Sequence, residues 1–288
     1  MFVGASIALW ALVIAAFATV IAAVSEPELS TFIAWCIAVV AAALALLFIY
    51  WTDSLASLRY TVDRDAITIR WGFHLVLIPI DAVVRLVPGR TIDPTRVSGL
   101  NWWGCHIGTA DVKRVGYTLF YSTHSSADEI LYLVTREESY ALTVPNQAAF
   151  AEEIQDRAAM GALRHVDHRS RVTGIAALPF FHDRLAMATA AFGVVPAIIL
   201  CGYLFWAYPG LPNVIQIAFP SLGSVVRVGD KSALLKIAYL GLAILAMNSL
   251  LGVILHARER AAGIWLFSAG GLLQSILLGA AVVAIQRS

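Results

Sequence analysis

Five long apolar runs, two before and three after one long polar stretch, divide the chain. Val3 to Val24 carries no charge over about 22 residues. At about 1.5 Å rise per residue, such a helix crosses a hydrocarbon core of roughly 30 Å. Ser25-Glu26-Pro27-Glu28-Leu29-Ser30 is a short acidic turn, and Ser30 to Trp51 is a second run ending in Tyr50 and Trp51. Aromatic rings there suit the lipid–water interface. Further runs cover 185–208, 232–255 and 263–285. A cleaved signal peptide is the rival reading of the first run, since Ala22, Ala23 and Ser25 spell a cleavage-like site. The lack of Lys or Arg at its start, and its length, favour a retained helix.

Between the second and third runs the pattern changes period. In 58–62, Leu58, Tyr60 and Val62 share one face, with Arg59 and Thr61 on the other. In 66–71, Ile67, Ile69 and Trp71 alternate with Ala66, Thr68 and Arg70, and Asp63-Arg64-Asp65 supplies the turn. This is the period of a half-buried hairpin. Further strands are expected at 73–80, 82–87, 112–121, 129–135 and 140–144. Residues 90–110, rich in Gly and carrying Trp102 and Trp103, read as irregular. Pro145-Asn146 opens a helix to about Met160, with Phe150 and Ile154 on one face and Gly161 as its C-cap.

Composition supports a lipid-solvated chain. Of 288 residues, 59% are hydrophobic and 14% charged, against about 25% charged in soluble domains. The net charge of +1 points away from nucleic acid as a partner. Cys36, Cys105 and Cys201 form no CxxC pair or disulfide framework. Residues 53–156 hold nine basic and thirteen acidic side chains, a net of −4, which an anionic leaflet repels. Residues 157–184 hold five Arg and two Asp, a net of +3, with His165, His168 and His182. Arg164, Arg169, Arg171 and Arg184 are therefore the candidate membrane-surface contacts, each such charge being worth about 1 kcal/mol near an anionic leaflet.

Equipment for chemistry is sparse. There is no Gly-rich phosphate loop, GxSxG, HExxH or intramembrane carboxylate pair. The reading is of a non-enzyme with no catalytic residue, no cofactor and no metal, although His165 and His168 stand one helical turn apart. Asn248 and Gln274 are the amides nearest mid-bilayer and are expected to hydrogen-bond between helices. Gly271, Ser275 and Gly279 make a small-residue ridge for close packing. Arg258 and Arg260 in a short turn set orientation by the positive-inside rule, although Arg227, Lys231 and Arg287 fall on the opposite side.

The order of the middle stretch resembles the bacterial pleckstrin-homology-like domain. The resemblance rests on LRYTVDRDAITIRWG (58–72), LIPIDAVVRLVPG (77–89), GYTLFYSTHSSADEILYLVT (116–135) and YALTVPNQAAFAEEI (140–154). It implies an open, strongly bent β-barrel of about seven strands closed by a C-terminal helix. A second stretch, 211–235, is similar to the loop of a membrane domain also found in toxin-immunity proteins. It matches at Leu211, Pro212, Ile215, Ile217, Phe219, Gly223, Arg227, Gly229 and Lys231, with Asn248 in the following span. It departs from that family's His-Phe-Asn run, which is Ala218-Phe219-Pro220 here.

These readings combine into an α+β membrane protein with five transmembrane helices arranged 2+3. Its expected parts are a helical hairpin (1–52), an inserted PH-like domain (53–162), a basic connector (163–184) and a three-helix unit (185–288). The last part carries a reentrant or interfacial outer loop at 209–231. The expected location is a bacterial inner membrane, with the PH-like domain and N-terminus cytoplasmic. The expected partners are membrane lipids and a protein recruited or scaffolded there; a homo-oligomer is compatible with this. The alternative is a sensor or immunity-type protein that recognises an external ligand through 209–231.

Overall fold

A computed structural model describes residues 2–93, 95–102, 104–161, 163–164, 166–218 and 227–286. The chain divides into two compact units, Met1–Ala8 with Leu46–Ile175, and Leu9–Ala45 with Ala176–Ser288. Helices α1 (Phe2–Val24) and α2 (Leu29–Ala56) come first. Strands β1 (Arg59–Val62), β2 (Ala66–Trp71), β3 (His74–Pro79), β4 (Val83–Pro88), β5 (Ser98–Trp102) and β6 (Cys105–Val112) follow. Next are β7 (Gly116–Ser122), β8 (Ile130–Thr135), β9 (Ser139–Thr143), α3 (Gln147–Met160) and β10 (Arg169–Val172). Helix α4 (Arg184–Ala207), strands β11 (Val214–Ala218) and β12 (Arg227–Asp230), and helices α5 (Ser232–His256) and α6 (Arg260–Gln286) end the chain.

Helices α1, α2, α4, α5 and α6 are long and apolar enough to cross a membrane. Large side chains such as Trp10, Phe17, Ile198 and Leu240 stay exposed, while each helix buries small ones. Helix α1 buries Ala8, Ala11, Ala15, Ala18 and Ala22, and α2 buries Ala34, Ala38, Ala41 and Ala45. Steps of three and four residues put each set on one helix face. Small side chains allow the close backbone approach that drives association in lipid, where apolar surface alone drives none. These alanine seams are hidden in the sequence because nearly every residue around them is apolar too.

In the second unit, Leu200, Leu204, Leu234, Ala238 and Ala281 form a core that Phe32 of α2 joins. Its ring lies 6.0 Å from that of Phe205. Gln274 is fully buried, and its Nε2 donates to the Gly241 carbonyl of α5 at 2.6 Å. The ridge expected at 271–279 packs closely at one end. A Cβ on Gly271 would lie 3.3 Å from the Gly193 Cα, whereas one on Gly279 would meet open space. The segment expected as a reentrant or interfacial loop contains an antiparallel pair, β11 with β12.

In the first unit, two sheets share a core. One has the order β1-β2-β3-β10 and the other β4-β8-β9-β7-β6-β5. Ile67, Ile69, Val76, Ile78, Leu133, Tyr140 and Leu142 meet Ile154 of α3 between them. The hairpin β1–β2 forms as expected, and its register sets Tyr60 opposite Ile69 and Val62 opposite Ile67. Helix α3 also begins and ends as read. Asn146 accepts the Ala149 N–H, and Gly161 follows the last turn at φ 71°.

Three expectations change. Among the described residues the two sheets are not joined into a closed barrel, and the edge of β3 away from β2 pairs with β10. Residues 90–110 are not irregular throughout, since β5 and β6 pair with Gly99 opposite Gly108. A Cβ on Gly108 would fall 2.2 Å from the Ser98 carbonyl oxygen, so glycine is required there. The glycines that permit this approach also erase the alternation that marks strands. Residues 112–121 are not one strand. The chain turns at Lys113–Val115, with Arg114 at φ 71° and Gly116 at φ 91°.

Candidate functional site

Strand β4 ends the six-stranded sheet, and among the described residues only one of its edges is paired, to β8. Its register shifts between Val83 and Arg85, and Val84 is 60% exposed. Helix α3 runs beside it because Phe150 and Ile154 pin its inner face to the core. Between the two lies a groove of about 580 Å³, lined by Leu86 and Pro88 of β4, Leu131 of β8, and Ala148, Ala151 and Gln155 of α3. Arg90 and Asp128, of opposite charge, also line it. Gln147 is fixed by bonds from its Nε2 to the carbonyls of Asp128 (2.7 Å) and Ile130 (3.2 Å). An unpaired strand edge beside a helix can accept an extended chain as an added strand, with the groove taking alternate side chains. The sequence displays Pro88-Gly89 and the α3 period, but the groove arises from how they are brought together.

The arginines expected at a membrane surface are exposed but dispersed. Arg169 and Arg171 stand on β10, and Arg169 pairs with Asp167 at 2.9 Å. The Arg164 backbone N–H donates to Asp65. Arg184 opens α4 in the second unit. In the outer-loop motif, Leu211 packs on the helix core and Pro212 is exposed. Arg227 opens β12, Gly229 pairs with Ile215, and Lys231 Nζ lies 4.8 Å over the Tyr208 ring. Phe219, Gly223, Trp103 and His165 lie outside the described residues. Asn248 is half-buried, with its Cβ 3.7 Å from where a Cβ on Gly270 would sit.

His168 is built into the first unit. Its Nε2 lies 2.6 Å from the Tyr140 hydroxyl, which also donates to Glu138 at 2.5 Å, and its Nδ1 is 3.3 Å from Glu137. Burial, then the Glu138 carboxylate, push the Tyr140 hydroxyl far above its ordinary pKa. His106, on β6, and His124 form a second histidine site; the sequence offered both as loop residues weighed for metal binding. Their rings stack at 3.9 Å. Burial, then the His106 ring, hold His124 down at about 4.

The comparisons with known proteins bear on the middle of the chain. Residues 58–158 match the family described as the bacterial PH domain. No curated protein and no solved structure matches the chain. The family match stops short of residues 211–235, so their likeness to immunity proteins gains no support. What the family match and the helices together support is a membrane protein: a bacterial PH-like domain at 58–158, accompanied, among the described residues, by five helices of membrane-spanning length.

Proposed function

We propose that this is a non-enzymatic membrane protein whose PH-like domain faces the cytoplasm and recruits a protein partner to the membrane. The partner lends an extended segment to the groove between β4 and α3. The free edge of β4 beside that groove carries the reading. The net charge of −4 over 53–156 favours a basic segment and disfavours docking on anionic lipid.

A photo-crosslinking amino acid at Ala151, inside the groove, tests this in intact cells. A discrete protein adduct is expected there. None is expected from the same group at Asp156, which is exposed on α3 and does not line the groove. A blank at Ala151, or equal adducts at both positions, refutes recruitment through this groove. Reporter fusions to the C-terminus and to the 113–115 turn test the orientation, the expected signals being external and cytoplasmic.

A further inference from the structure

A second cavity in the first unit, of about 340 Å³, lies apart from the groove. Val3 of α1, Trp51 and Leu55 of α2, and Asn101, Trp102 and Cys105 of β5 and β6 line it. Its walls are in close contact. A Cβ on Gly4 would lie 2.6 Å from Thr52 Oγ1, so the end of α1 is in close contact with the end of α2. Phe48, Trp51 and Trp102 form an aromatic cluster with ring centroids 5.3–6.0 Å apart.

The cavity's polar groups are already engaged. Thr52 donates to the Phe48 carbonyl at 2.7 Å. Asn101 Oδ1 meets His106 Nδ1 at 2.7 Å, and Asn101 Nδ2 donates to the Val97 carbonyl. Among the described residues, no charged side chain lines the space. Cys105 is 4% exposed, and burial raises its thiol pKa, so it stays neutral. What remains, among the described residues, is a mainly apolar slot of ligand-binding size. The slot opens at Val3, which is 46% exposed, with Phe2 beside it 91% exposed, at the start of a helix long and apolar enough to cross a membrane.

We infer that this cavity holds the acyl tail of a membrane phospholipid, drawn from the leaflet beside the α1 N-terminus. The tail would rest on Trp51, Trp102 and Cys105, and so link the start of α1 to the β5–β6 edge of the PH-like domain. Aromatic faces and an aliphatic chain suit each other by area alone, so tail length matters and headgroup identity does not.

The test uses the full chain in lipid nanodiscs containing phosphatidylglycerol with a diazirine near the tail terminus, followed by mapping of the labelled residues. Label on Trp102 and Cys105 is expected, although both belong to strands of the PH-like domain. Val3→Trp, which fills the cavity from an exposed position, should reduce that label at least tenfold. Val13→Trp, at another exposed position of α1, should leave it unchanged. A headgroup-borne diazirine should leave Cys105 unlabelled in the unsubstituted protein. Absence of tail label on Cys105, equal label in Val3→Trp, or equal label from the headgroup probe would each overturn the inference. The last outcome would mean simple apposition to the lipid surface.

Discussion

Arg260 opens α6 with its guanidinium on Asp183, 77 residues earlier: Nε lies 2.5 Å and Nη2 3.2 Å from the two carboxylate oxygens. The same carboxylate accepts the Leu185 and Ala186 N–H groups at the start of α4, and His256 Nε2 of α5 approaches it to 3.5 Å. One aspartate thus caps one helix and touches the ends of two others. The Arg260 bond, then the two backbone N–H groups, hold its carboxyl down at about 2, against burial acting the other way.

Asp183→Asn keeps a capping acceptor and loses the ion pair, whereas Asp183→Ala loses both. Thermal unfolding in detergent should rank them wild type, then Asn, then Ala, with steps of a few degrees. A depressed carboxylate contributes its stability fully above the ordinary value of about 3.8 and loses it as pH falls toward about 2. The advantage of wild type over Asp183→Asn should therefore shrink across that window and be constant above it.

Tyr60 ties the two sheets that hydrogen-bonded ladders leave unclosed. Its hydroxyl donates to the Tyr121 carbonyl at 2.5 Å and accepts the Thr143 N–H at 3.4 Å. Burial raises its pKa to about 12, so it stays a donor at physiological pH. Tyr60→Phe should cost about 1–2 kcal/mol. Amide exchange at Thr143 should rise while that at Ile67 and Ile69 stays slow; unchanged exchange at Thr143 would remove Tyr60 from this role.

The stacked histidines predict a loss of stability on mild acidification. A histidine held down at about 4 in the folded chain and near 6.5 unfolded takes up its proton preferentially when unfolded. Its contribution is complete above about pH 6.5 and falls progressively toward pH 4. The melting temperature of the wild type should drop between pH 7 and 4.5. His124→Gln, which cannot titrate, should flatten that slope, read from melting curves at matched ionic strength.

The α4–α6 contact distinguishes glycines that look equivalent in the sequence. A Cβ on Gly271 would lie 2.4 Å from Phe192 Cδ1 and 3.3 Å from the Gly193 Cα. Gly271→Ala should cost roughly 1–3 kcal/mol by overpacking. Gly279→Ala meets open space and should be neutral or stabilising by up to ~1 kcal/mol. Unfolding by increasing detergent denaturant fraction, followed by helical ellipticity, compares the two; equal effects would contradict the close approach of α4 and α6.

Much of the architecture is legible before any coordinates. The β1–β2 hairpin follows from Tyr60, Val62, Ile67 and Ile69 alternating with polar neighbours, and α3 follows from Asn146, Phe150, Ile154 and Gly161. Strands β5 and β6 escape because Gly99 and Gly108 remove the side chains that would carry the alternation. Strand β10 escapes because Arg169-Ser170-Arg171 has no buried face, being an exposed edge.

By itself the sequence determined what most segments are, since hydrophobic period, chain length and capping residues act over one or two turns. Five apolar runs, a β-rich insert and its closing helix are all local facts. Only the tertiary structure decided which distant groups meet. Asp183 with Arg260, Tyr60 with Thr143, β10 with β3, and Val3 and Cys105 on one cavity depend on the packing of whole elements. Their partners lie far along the chain, where no local period reports them.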